Sequence, residues 1–129
     1  MRILVLGDKL AQDLLVFDKK YGIGIQIVSA DNVFSALNIL WQEQFGFKCF
    51  IADATIEDSI YVLIEAAQDG IDAYYFGSNP VIDKLSIRGT FGWNMISKFD
   101  GWERIISDII LNEFGKLVYF DENGGCRYE

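Results

Sequence analysis

Short apolar runs alternate along this chain with stretches whose apolar residues recur every three or four positions. The runs predict buried strands at Ile3 to Gly7, Ile23 to Ser29, Phe47 to Asp53, Ala73 to Gly77 and Trp93 to Ser97. The helical periods predict five helices between and after them. The first runs from Lys9 to Lys20, with Leu10, Leu14, Leu15 and Phe17 partly on one stripe. The second follows Asp31 as N-cap and carries Val33, Phe34, Leu37, Leu40 and Trp41 until Phe45-Gly46 ends it. The third covers Glu57 to Gln68 and stops at Asp69-Gly70. The fourth is short, from Pro80 to near Gly89. The fifth runs from Gly101 or Trp102 to Phe114, with Ile105, Ile106, Ile109 and Ile110 inward and Gly115 as its cap. Strand and helix alternating in this way is the pattern of a doubly wound α/β domain around a parallel sheet.

After Gly115 the period changes to two. Lys116 to Phe120 and Cys126 to Tyr128 read as strands around Asp121-Glu122-Asn123-Gly124-Gly125, whose Asn-Gly step favours a tight hairpin turn. The chain is therefore expected to be one domain over residues 1–115 with a hairpin extension over 116–129. A hairpin is marginal alone, so one of its sides, Leu117, Tyr119 and Tyr128 or the alternate set Val118 and Phe120, must pack on something. Packing between two protomers of a homodimer is the expected arrangement, with the fifth helix or a downstream domain as the alternatives.

Composition narrows the function classes. The 129 residues are 51% apolar and 23% charged, the profile of an ordered domain with a proper core. No apolar run reaches bilayer-spanning length and no signal-peptide organisation precedes the first strand, so a cytoplasmic protein without membrane contact is expected. A formal net charge of −8, with Arg and Lys scattered among acids, argues against direct nucleic-acid binding. With no histidine the commonest catalytic base is absent, and without Cys-x-x-Cys spacing no structural zinc site is expected. Gly7-Asp8-Lys9 lacks the glycine-rich dinucleotide pattern.

What chemistry there is lies at predicted strand ends. Asp8 follows the first strand, Asp53 ends the third and Lys98 follows the fifth, and ligands of open α/β sheets bind where such ends converge. Each has a plainer reading. Asp8 suits a turn or helix cap, Thr55 suits the cap of the third helix, Lys98 suits a solvated surface and Ser78, next to Asn79-Pro80, suits a turn.

Taken together, the two acids, the lysine, the Ser35-Ala36-Leu37 step and Met95-Ile96-Ser97-Lys98-Phe99 resemble the receiver domain of bacterial response regulators over residues 1–114. The resemblance implies a flavodoxin-like five-stranded parallel sheet in the order 2-1-3-4-5. It implies a phosphoacceptor at Asp53, Mg2+ held by Asp8, Asp53 and the Thr55 backbone carbonyl, a phosphoryl contact from Lys98 and a switch hydroxyl at Gly77 or Ser78, of which only Ser78 has one. The implied partner is a histidine kinase or phosphotransfer protein. The implied role is that of a signalling domain, with no enzymatic activity beyond gaining and losing its own phosphate. Gly7 departs from the family pattern, standing where receivers carry a second acid, so Mg2+ is expected to bind more weakly than usual. Phe99 replaces the proline after the lysine, and Met95 stands in an aromatic position, with Trp93 the nearest aromatic. These departures leave two further readings: a pseudo-receiver that acts by protein contact without phosphorylation, and a flavodoxin-like domain for a small molecule or nucleotide.

Overall fold

The computed structural model describes residues 1–43, 46–88 and 95–129, with 85–88 described as backbone. Five strands, β1 (Arg2–Leu6), β2 (Gln26–Ala30), β3 (Cys49–Asp53), β4 (Asp72–Phe76) and β5 (Ile96–Lys98), form one parallel sheet in the order β2-β1-β3-β4-β5. The helices are α1 (Asp8–Tyr21), α2 (Val33–Glu43), α3 (Ser59–Gln68), α4 (Pro80–Arg88) and α5 (Trp102–Phe114). The expected fold class and strand order are those of the structure.

Strand alternation divides the core in two. Leu4, Leu6, Phe50, Ala52, Ala73, Tyr75 and Ile96 face α2, α3 and α4, where Leu40, Val62, Leu63, Ala66 and Ile82 meet them. On the other face Ile3, Val5, Cys49 and Ile51 pack against Leu10 and Leu14 of α1 and the isoleucines of α5. Residues 49 to 52 of β3 are buried on both faces, which is why this strand reads as an unbroken apolar run.

Strand β2 begins at Gln26, three residues after its expected start. Gly22 closes α1 in the left-handed region, and Asp18 Oδ1 accepts from the backbone N–H groups of Gly24 and Ile25, so this stretch is a turn. Strand β5 was expected from Trp93, which lies outside the described residues, as do Phe45 and Gly89 at the expected ends of α2 and α4.

The hairpin, β6 (Val118–Phe120) and β7 (Cys126–Tyr128), is antiparallel and separate from the main sheet. It packs on its own chain. Val118 is buried among the α5 isoleucines, and the Phe120 ring meets Phe17 at 5.4 Å and Tyr21 at 4.8 Å, both on α1. The inward side is thus the Val118 and Phe120 set, and it covers α1 and α5 where packing between protomers was expected. No helix among the described residues is long and apolar enough to cross a membrane.

Candidate functional site

Because the sheet is parallel, β1, β3 and β5 deliver Asp8, Asp53 and Lys98 to the same edge. Asp53 is the best-placed of the three. Its backbone is fixed by β3 pairing, and its carbonyl accepts from Ile56 N–H at 3.1 Å, closing the turn toward α3. Oδ1 accepts two hydrogen bonds from one residue, Thr55 N–H at 2.9 Å and Thr55 Oγ1–H at 2.6 Å. Oδ2 has no partner among the described residues.

Gly7 flanks this carboxylate. Its φ is +126°, and a Cβ there would lie 3.2 Å from the Asp53 Cβ. Gly77 flanks the other side at φ +101°, where a Cβ would come within 3.9 Å of Asp53 Oδ1. Two glycines therefore frame the acid, and neither position tolerates a side chain without strain. Asn79 ties the neighbouring loops together. Its Nδ2 donates to the Ala54 carbonyl at 3.2 Å, while its Oδ1 caps α4 by accepting from Val81 and Ile82 N–H. Ser78 beside it is exposed, and among the described residues its hydroxyl has no bond.

Asp8 opens α1 in an exposed position and borders a hollow with Ser29, Ala30 and Asp31. Lys98 borders a different hollow, with Tyr74, Ser97, Asp100, Arg104 and Asp108. Arg104 pairs there with Asp100 and, at 3.9 Å, with Asp108; Lys98 is in no ion pair among the described residues. Tyr74 is a neutral phenol, its pKa pushed up to about 12 by burial and then by the charge of Asp72. The strand register places Lys98 and Asp53 on different rungs. Lys98 lies on the rung of Tyr75 and Ala52, whereas Asp53 lies one rung further with Phe76.

In place of a cation, the Asp53 rung carries aromatics. The Phe76 ring is 47% exposed and meets Phe99 at 5.8 Å, and Phe99 meets Trp102 at 4.9 Å in edge-on geometry. Phe99 and Trp102 also pack against the core on the α1 and α5 side of the sheet, whereas Phe76 is exposed. Thr55 enters the site through its hydroxyl as well as its backbone, and the Asp-x-Thr turn, a local hydrogen-bonding pattern, was available in the sequence as a signal.

The donor set fits a resident divalent cation poorly. Asp8 and Asp53 supply two carboxylates, Gly7 supplies none, and no group of three acidic or sulfur side chains among the described residues is gathered to hold a metal. Scans against protein-family models, curated proteins and solved structures find no match.

Proposed function

We propose that this chain is a receiver-like signalling domain that works by protein contact, without a phosphorylation cycle on Asp53. The observation that carries the reading is Gly7: the position beside the acceptor carboxylate holds no acid, and its backbone and spacing would strain any side chain placed there. Two features of the same site support it. Thr55 already engages Oδ1, so attack on phosphorus through that oxygen costs two hydrogen bonds. Lys98, the cation that would offset charge on a transferring phosphoryl group, sits on a different rung.

One observation favours the alternative, in which Asp53 accepts a phosphoryl group from a histidine kinase and Mg2+ assists. Oδ2 is without a partner at a strand end where α/β ligands bind. The two readings separate in one experiment. The chain is incubated with acetyl phosphate and Mg2+, and its intact mass is measured beside Asp53→Asn. The expected result is no adduct on either. A phosphate adduct on the wild type that disappears in the variant would establish the acceptor reading and overturn the one proposed.

A further inference from the structure

The acids of this chain are not evenly spread. Residues 21–83 hold nine Asp and Glu against a single base, Lys48, so this stretch carries the entire net charge of −8. Helices α2 and α3, which lie side by side on one face of the sheet, contain no Lys or Arg at all. Among the described residues, Asp31, Glu57, Asp58 and Glu65 on and around them are in no ion pair. Apart from Glu43, which pairs with Arg2 at the end of α2, these acids leave a negative field over the face.

The same face is aromatic. Phe34 is 73% exposed, Trp41 57% and Tyr61 61%. Phe34 and Trp41 are seven residues apart on α2, so they share one stripe about 10 Å long. The Trp41 indole reaches across to α3, where Nε1–H donates to Glu65 Oε1 at 3.1 Å, and Tyr61 lies one turn before Glu65. Both helices set out from the sheet edge that carries Asp53, so Phe34 and Tyr61 mark the end of the face nearest that edge.

We propose that the α2–α3 face docks a basic protein segment whose arginines lie over Phe34, Trp41 and Tyr61 and pair with Glu57, Asp58 and Glu65. Charge selects this occupant. A second copy would set one acidic face against another, and anionic lipid or nucleic acid would be repelled outright. A guanidinium stacks on an aromatic face and forks onto a carboxylate, so neighbouring rings and acids suit arginine better than lysine. The proposal deepens the protein-contact reading by giving the partner's chemistry. It does not depend on the state of Asp53.

The test is fluorescence anisotropy of an arginine-rich labelled peptide titrated with the full chain, beside the same peptide with lysine or glutamate in place of arginine. The arginine peptide is expected to bind tightest, the lysine peptide more weakly and the glutamate peptide not at all. Phe34→Ala with Trp41→Ala, which leaves the net charge unchanged, should weaken arginine-peptide binding about tenfold. Asp13→Asn with Glu122→Gln, which removes two charges elsewhere, should leave it within about twofold. Both side chains of the aromatic pair are exposed, and circular dichroism confirms that the variant is folded. Equal weakening by both variants would reduce the effect to bulk charge and overturn the proposal. So would light scattering that finds the wild type dimeric and the aromatic variant monomeric, because the face would then be occupied by a second copy. Failure here leaves the Asp53 mass measurement untouched, so the two readings fall separately.

Discussion

At Gly7 a side chain is opposed on two counts: a φ of +126° and a neighbour 3.2 Å from any added Cβ. Backbone strain of this kind costs about 1–3 kcal/mol for a residue other than glycine. Gly7→Ala is therefore expected to lower unfolding free energy by about that amount, and Gly7→Asp by more, in urea titrations. Equal stability of Gly7→Asp and wild type would show that an acid fits beside Asp53 after all, and with it the missing cation ligand. The place of Asp53 was legible in the sequence, because the apolar run that ends on it is the buried strand β3. The missing acid at Gly7 was legible too, but its backbone conformation was not. A glycine after a strand reads as a turn whatever its φ, and only the approach of β3 reveals what it makes room for. Lys98 was legible as a strand-end cation, but its rung depends on β4–β5 pairing, which no local pattern specifies.

Among the elements, the hairpin shows most directly what period alone leaves open. Asn123-Gly124 announces the turn, and the structure builds it with Asp121 Oδ1 accepting from Asn123 and Gly125 N–H at 2.9 and 2.8 Å. A period of two, however, offers two faces, and the choice between them belongs to the partner surface. Here that surface is α1, whose last turn presents Phe17 and Tyr21 to Phe120, and the Tyr21 hydroxyl donates to the Asp121 carbonyl at 3.2 Å. Gly124 comes close enough to α1 that a Cβ would lie 2.9 Å from the Lys20 carbonyl oxygen. Phe120 is only partly buried, so Phe120→Ala is expected to cost about 2 kcal/mol, below the range for a fully enclosed ring. Ending the chain at Gly115 should lower the melting temperature further while leaving the number of chains per particle by light scattering unchanged, so that the mass falls only by that of the deleted residues. A truncated chain as stable as the full one would mean the aromatic contact with α1 contributes nothing to the fold. A fall in the number of chains per particle on truncation would restore the hairpin as a dimer element.

At the scale of the whole molecule the helix–sheet alternation sufficed to define architecture, since each strand's apolar length and each helix's apolar stripe pointed to the same layers. Charge was a different matter. Along the chain the acid excess lies in residues 21–83, and the fold collects the base-free helices α2 and α3 of that stretch into one face. The opposite face has its own electrostatic feature near the start of β4. The Asp72 carboxyl is held above its usual 3.8, first by burial and then by the charge of Asp108, and burial first and Asp72 second push up the Cys49 thiol and the Tyr74 phenol. A carboxyl whose pKa is higher folded than unfolded binds its proton more tightly in the native state. Its contribution to stability is complete below pH 3.8 and is lost as the pH rises through the raised native value. Asp72→Asn cannot ionise and so removes this loss. The melting temperature of the variant relative to wild type should therefore rise from pH 3.5 to pH 7, whatever constant difference the changed hydrogen bonding adds. Parallel curves over that range would show that Asp72 titrates alike in both states, and a relative rise in wild-type stability would mean that a cation stabilises the carboxylate more than burial opposes it.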